Sequence, residues 1–300
     1  MDMQALIDSM KPVKDTITQE ETALAIAGET PLQKKFDNRV GPSVNGSPAI
    51  DYHVYSPAQP GDTTRYPVLI WLHGMGQGRR FREPLRGTQV ANFASAEYQA
   101  KFGKGAYIVV PRANEDLGMV DTIRYWLYSN SWLRGQEENG VSNQLPELVA
   151  AVQQFLSEES KNIDTSRVYL AGFSAGGYMT WQTLFAMPNT FAKAMPICQA
   201  RFVPSHAQLK TVAHVPLWLV CGKEDEFYKA DVAPTLEKLQ TTHTAEVRAT
   251  IFDTVYGPDK AEAKSHHASW IPVTYDMFYD DGTPCDPKYP QGFISWLANK

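Results

Sequence analysis

From Asp51 onward, short apolar runs alternate with longer amphipathic stretches. YPVLIWLHG, GAYIVVP, SRVYLAG, AKAMPIC, VPLWLVCG and EVRATIFDTVYG each carry a block of apolar residues near a Gly or Pro. Blocks of this length without alternation suit strands buried on both faces of a mostly parallel sheet. Among the intervening stretches, NQLPELVAAVQQFLSEES places Leu145, Leu148, Val149, Val152, Phe155 and Leu156 on one helical face, with Ser142 and Glu147 as its start signal. That alternation predicts an α/β fold, a mostly parallel central sheet flanked by helices. Upstream, QKKFDNRV and IDYHVYS flank the turn dipeptide Asn45-Gly46 and predict an antiparallel lead-in. The expected organisation is an N-terminal extension over residues 1–30, with a helix-start signal TQEE at Thr18 to Glu21, followed by one domain over residues 31–300.

Composition narrows the function classes. A chain of 300 residues with 43% hydrophobic content can bury a sizeable core. The formal net charge of -5, without a Lys/Arg-rich run, gives no electrostatic reason to bind nucleic acid or an anionic membrane. No window approaches the ~18 uninterrupted apolar residues that span a bilayer. The first twenty residues lack a basic region followed by an apolar one, which predicts a cytoplasmic chain, or a secreted one had a signal peptide been trimmed. Cys198, Cys221 and Cys285 are odd in number and match no zinc spacing, so free thiols and no metal or other cofactor are expected.

Against this background one segment carries chemistry. Gly172-Phe173-Ser174-Ala175-Gly176 satisfies G-x-S-x-G between a strand run and a helix predicted to begin at Gly177. On such a strained strand-to-helix turn the neighbours have no room for Cβ atoms, and the serine hydroxyl stands above the sheet at a helix N-terminus. A serine is a poor nucleophile at its own pKa, so it needs a histidine as base and a carboxylate to orient that histidine. The next apolar run ends in Glu224, Asp225 and Glu226, and the one after leads to His266 and His267. Position alone leaves all three carboxylates and both histidines as candidates. His53, His73, His206, His214 and His243 follow no suitable strand and are expected at the surface or in structural roles.

HGMGQG, GFSAGGYMTW, the strand ending MPIC, CGKED and HHASW occur in the order and approximate spacing of esterase-type α/β-hydrolases. From Tyr52 to Trp296 the chain most resembles the polyhydroxybutyrate-depolymerase-like and feruloyl-esterase-like group related to prolyl oligopeptidase catalytic domains. The resemblance implies that Ser174 is the nucleophile. It assigns the acid to Asp225, through a pattern like H-G-x-x-D in which Cys221 replaces the histidine. It assigns the base to His267, through a pattern like H-x-x-W ending at Trp270. The backbone N–H groups of Met75 and Ala175 are then the implied oxyanion hole.

The activity so implied is serine carboxylic-ester hydrolysis through an acyl-enzyme, on short or medium acyl esters or on hydroxycinnamoyl or acetyl esters of carbohydrate. The same fold also serves acyltransferases, peptidases and non-catalytic binding proteins, which are the alternatives. Only Arg201 to His214 separates two strand runs where a cap domain is often inserted, which predicts an open site without a large cap. The aromatic stretch DTIRYWLYSNSWLRG offers Trp126 and Trp132, with Tyr125 and Tyr128, either as pocket walls or as packing against the sheet. MFYDDGTPCDPKYPQGF, which follows soon after Trp270, is a second loop able to reshape the rim. A small-molecule or carbohydrate-linked ester is the expected partner, and homo-oligomer formation stays open.

Overall fold

The computed structural model describes residues 29–75, 77–78, 83–113, 132–133, 135–136 and 140–299. The TQEE signal, the rest of the extension up to residue 28, and Tyr125, Trp126 and Tyr128 lie outside the described residues. Within them, one eight-stranded sheet runs in the order β1-β2-β4-β3-β5-β6-β7-β8. Its members are β1 (Asp37–Val40), β2 (Asp51–Tyr55), β3 (Tyr66–Leu72), β4 (Tyr107–Pro111), β5 (Ile163–Phe173), β6 (Lys193–Ile197), β7 (Leu217–Gly222) and β8 (Val247–Phe252). Each predicted apolar run coincides with one strand, and β5 extends beyond its run at both ends. β3, β4 and β7 are buried along their whole length, because helices cover both faces of the central sheet.

The lead-in is antiparallel: β1 pairs with β2 and β2 with β4, whereas all remaining pairs are parallel. Between β1 and β2, Asn45 and Gly46 both take positive φ, 50° and 81°, and Ser47 N–H donates to the Val44 carbonyl at 2.9 Å. Those dihedrals belong to a mirror-image turn, which Asn-Gly adopts at low cost. On the outer edge, β1 presents Asp37, Asn38 and Arg39, and the last pairs with Glu159 at 2.8 Å. Such polar residues discourage a further strand from adding there.

The helices are α1 (Glu83–Gly87), α2 (Ala96–Lys101), α3 (Leu145–Glu158), α4 (Ala175–Ala186), α5 (His206–Thr211), α6 (Ala233–Thr242), α7 (Trp270–Thr274) and α8 (Phe293–Ala298). Of the face predicted for α3, Leu148, Val152 and Phe155 are buried and Leu145, Val149 and Leu156 half-buried, while Ala151 and Glu147 are buried as well. Ser142 does not cap it directly, since its hydroxyl accepts from Gln144 N–H in the turn before the helix. α4 begins at Ala175, two residues before the position that its glycines suggest, and is buried around almost its whole circumference. Between β6 and β7 the one helix is the short α5, which leaves no room for a cap domain there. Among the described residues, no helix is long and apolar enough to cross a membrane.

The loop after α7 is tied to the body of the domain. Asp276, with φ 58°, accepts Ile294 N–H at 2.6 Å at the start of α8 and pairs with Lys101 of α2 at 2.8 Å. Burial raises the pKa of this carboxyl above the ordinary carboxylate range, against the pull of those donors. Further on, Thr250 hydroxyl donates to Asp286 at 2.6 Å, and the Tyr289 ring packs edge-on against Trp218. Removing the carboxylate in Asp276→Ala strands a buried N–H and an ammonium group, and is expected to cost about 3 kcal/mol. Chemical denaturation of Asp276→Ala, Lys101→Met and the double variant checks this: the double variant should lose less than the sum of the two singles.

Candidate active site

β5 ends at Phe173 and α4 starts at Ala175, so Ser174 alone makes the turn. Its φ of 58° and ψ of -120° lie in a region that costs a non-glycine residue about 1–3 kcal/mol. Backbone bonds hold it there: Ser174 N–H donates to Ile197 O of β6 at 2.9 Å, and Tyr178 and Ala200 N–H donate to Ser174 O at 3.1 and 3.3 Å. A Cβ on Gly176 would lie 2.1 Å from the Leu72 carbonyl oxygen at the end of β3. One on Gly177 would lie 2.7 Å from Ile197 O, and one on Gly172 would lie 2.5 Å from Gly176 O. The glycines therefore let the first turn of α4 press on the ends of three strands. Ala175 opens the helix, and an N–H in that position has no intrahelical acceptor.

The loop after β7 supplies the carboxylate. Asp225 N–H donates to Gly222 O at 3.2 Å and Tyr228 N–H to Asp225 O at 3.0 Å, a tight reversal that turns the Asp225 side chain inward. Glu224 and Glu226 on either side are exposed. Asp225 Oδ1 accepts Phe227 N–H at 3.0 Å, and Oδ2 accepts the Cys221 thiol at 3.5 Å and His267 Nδ1 at 2.8 Å. On the far side of the ring, His267 Nε2 is 2.8 Å from Ser174 Oγ. With Nδ1–H donated to a carboxylate, Nε2 is left as the acceptor for the serine proton. The structure thus brings Ser174, Asp225 and His267 together, while His266 points its Nδ1 at no hydrogen-bond partner.

His267 rides on a single helical turn, His266–Ala268, whose preceding Ser265 hydroxyl accepts His267 N–H at 3.1 Å. A Cβ on Gly222 would lie 2.3 Å from the His266 carbonyl oxygen, so the end of β7 and this turn are in direct backbone contact. Aromatic rings fix the remaining freedom. Phe227 meets the His267 ring edge-on at 5.3 Å, and Phe173, the residue before the serine, stacks on Trp270 at 4.9 Å. The tryptophan of the H-x-x-W pattern therefore packs against the serine strand. Phe227 and Phe173 carry no signal in the sequence beyond being aromatic neighbours of the acid and the serine.

The loop after β3 contains Met75, 44% exposed, next to Gly74, where a Cβ would lie 2.7 Å from the Phe173 ring. His73 precedes them and is fully buried. Its Nδ1–H donates to Gly74 O at 2.7 Å and its Nε2 accepts Ala113 N–H at 3.0 Å, which ties this loop to the one after β4. Desolvation lowers its pKa to about 4. Trp132 is also fully buried, its ring 5.3 Å from that of His73, so it backs the loop from inside. The three cysteines are free thiols.

Comparison with known proteins agrees with the fold and identifies a family. The sequence profile of the phospholipase/carboxylesterase family matches residues 53–258. A curated relative, the bifunctional acetylxylan esterase/xylanase XynS20E of Neocallimastix patriciarum, is 28% identical over 177 residues, which make up 59% of this chain and 21% of that protein. The chain thus spans about a fifth of the length of this relative. Among solved structures, a thermostable esterase aligns with TM-score 0.63 and 22% identity, covering 81% of this chain and 61% of its own. A ferulic acid esterase aligns with TM-score 0.55 and 14% identity, covering 80% and 94%. These structures share the α/β-hydrolase fold.

The buried imidazole of His73 makes a pH prediction. Its value falls from 6.5 to about 4 on folding, so the folded state binds fewer protons between those limits. His73 therefore contributes fully above about pH 6.5 and loses that contribution as the pH falls toward 4, a change of about 3 kcal/mol. Urea denaturation at pH 7 and pH 5 should show wild type losing about 2 kcal/mol more than His73→Gln. Equal losses would contradict the buried neutral ring.

Proposed function

The chain belongs to the phospholipase/carboxylesterase family, and from that premise we propose that it hydrolyses carboxylic esters through an acyl-enzyme on Ser174. One observation carries the reading: a single imidazole bonded on both sides, to Ser174 Oγ through Nε2 and to Asp225 Oδ2 through Nδ1, each at 2.8 Å. Ser174 Oγ attacks the ester carbonyl carbon as its proton passes to His267 Nε2. Asp225 holds the tautomer in which Nε2 is free to accept and offsets the charge of the imidazolium. The N–H groups of Met75 and Ala175 meet the oxyanion, and each such donor stabilises the transition state by about 3 kcal/mol. His267 then returns its proton to the leaving alcohol, and water, activated by the same ring, clears the acyl group.

The substrates we propose are short or medium acyl esters, with acetyl esters of carbohydrate as the preferred group. Two observations support this choice. The β6–β7 connection holds only α5, so no cap covers a long acyl chain there. The curated relative is named an acetylxylan esterase.

A panel of p-nitrophenyl esters from acetyl to dodecanoyl, together with acetylated xylan, tests both levels. Highest kcat/KM is expected at the short end, with a fall of at least about tenfold at dodecanoyl. Ser174→Ala should lower kcat by at least about 10³-fold and Asp225→Asn by a comparable factor, with the fold retained. Preference for the longest chain would overturn the substrate reading. Hydrolysis by Ser174→Ala at the wild-type rate would overturn the mechanism.

A further inference from the structure

The backbone leaves β6 at Cys198 with φ 35°, and Cys198 N–H donates to Val220 O of β7 at 2.7 Å. That turn carries the thiol close beside the acid and the imidazole. Cys198 Sγ, a carboxylate oxygen of Asp225 and a ring nitrogen of His267 all lie within 4.8 Å of one another. Among the described residues no other three Cys, His, Asp or Glu side chains gather in this way. Thiolate, imidazole and carboxylate are the ligand types of Zn²⁺ and of its softer analogue Cd²⁺. Bond lengths of about 2.0–2.3 Å around a tetrahedral ion place such ligand atoms roughly 3.3–3.8 Å apart, so a movement of about an ångström closes the set.

We propose that Cys198, Asp225 and His267 form a binding site for a thiophilic divalent cation, and that its occupancy reversibly switches hydrolysis off. Binding stands on the geometry alone, whereas the switching rests on the roles given above to Ser174 and His267. On binding, the Cys198 thiol releases its proton to solvent and coordinates as thiolate, and no electron is transferred. Either ring nitrogen produces the same outcome. An ion on Nε2 occupies the lone pair that receives the Ser174 proton. An ion on Nδ1 displaces the ring proton to Nε2, which then has no lone pair to offer. In both cases His267 can no longer take up the Ser174 proton. The ion reaches the set from the imidazole side, because the His267 side chain is 29% exposed while Cys198 and Asp225 are buried.

The test uses the whole chain, stripped with a chelator and titrated with Cd²⁺ in phosphate-free buffer. One equivalent should raise a thiolate-to-cadmium band in the ultraviolet, p-nitrophenyl acetate hydrolysis should fall with the same concentration dependence, and excess EDTA should restore it. Cys198→Ser and Cys198→Ala should lose the band and need at least about tenfold more Cd²⁺ for half-inhibition, each measured against its own metal-free rate. Cys221→Ala should keep both responses. X-ray absorption of the zinc-loaded unaltered protein should show one sulfur neighbour among nitrogen and oxygen, a readout that needs no variant. A band or inhibition unchanged in the Cys198 variants, or zinc without a sulfur neighbour, would overturn the site. A Cys198-dependent band with hydrolysis untouched by Cd²⁺ would overturn the switch. Absence of metal-free hydrolysis would instead count against the proposed function, with the band still reporting on the site.

Discussion

Everything at the catalytic end of the sheet depends on how closely the first turn of α4 approaches the strands beneath it. At Gly176 the gap to the Leu72 carbonyl is too small for a methyl group, and at Gly177 the gap to Ile197 is nearly as tight. Pressed this close, the chain has one residue in which to pass from strand to helix, and that residue is Ser174 with its strained dihedrals. The strain is held by bonds from β6, from α4 and from the loop that follows β6. A fully buried sheet below makes the platform stiff, because β3, β4 and β7 are packed on both faces.

The same economy of space recurs at the other two loops. Gly222 admits the His266 carbonyl to the end of β7, and Gly74 admits the Phe173 ring to the loop after β3. Backbone contacts and stacked rings, rather than long flexible side chains, thus set the distances between serine, imidazole and carboxylate. Phe173 is the shared element, touching the Gly74 loop on one side and Trp270 of the histidine loop on the other. In the proposed chemistry this matters because proton transfer tolerates little slack in the donor–acceptor distance.

Most of the architecture was legible in the chain, and the reason is physical. Strands buried on both faces must be apolar throughout, so YPVLIWL or LWLVCG announces itself without regard to its partners. Turn chemistry at Asn45-Gly46 was equally local. Where expectation and structure part, tertiary contact decides. The sequence pattern starts the helix at Gly177, yet Ala175 and Gly176 already lie inside α4, where the helix packs too closely on β3 for a side chain at 176. Which of three adjacent carboxylates turns inward depends on the reversal after β7, and position along the chain does not distinguish Asp225 from Glu224 or Glu226; only the family-like H-G-x-x-D register does. The burial of His73, the ring contact of Phe227 and the nearness of Cys198 to His267 arise from distant segments meeting, and single-chain periodicity has no means of showing them.

The central claim is that the strained serine is the group that bonds covalently to an acyl substrate or its mimic. Mass spectrometry of the intact protein after exposure to a fluorophosphonate, followed by peptide mapping, tests it most directly. A single adduct is expected, on the peptide containing Ser174, with formation slowed by orders of magnitude when His267 is replaced by alanine. An adduct on any other residue, or labelling of Ser174 at an unchanged rate without His267, would contradict it.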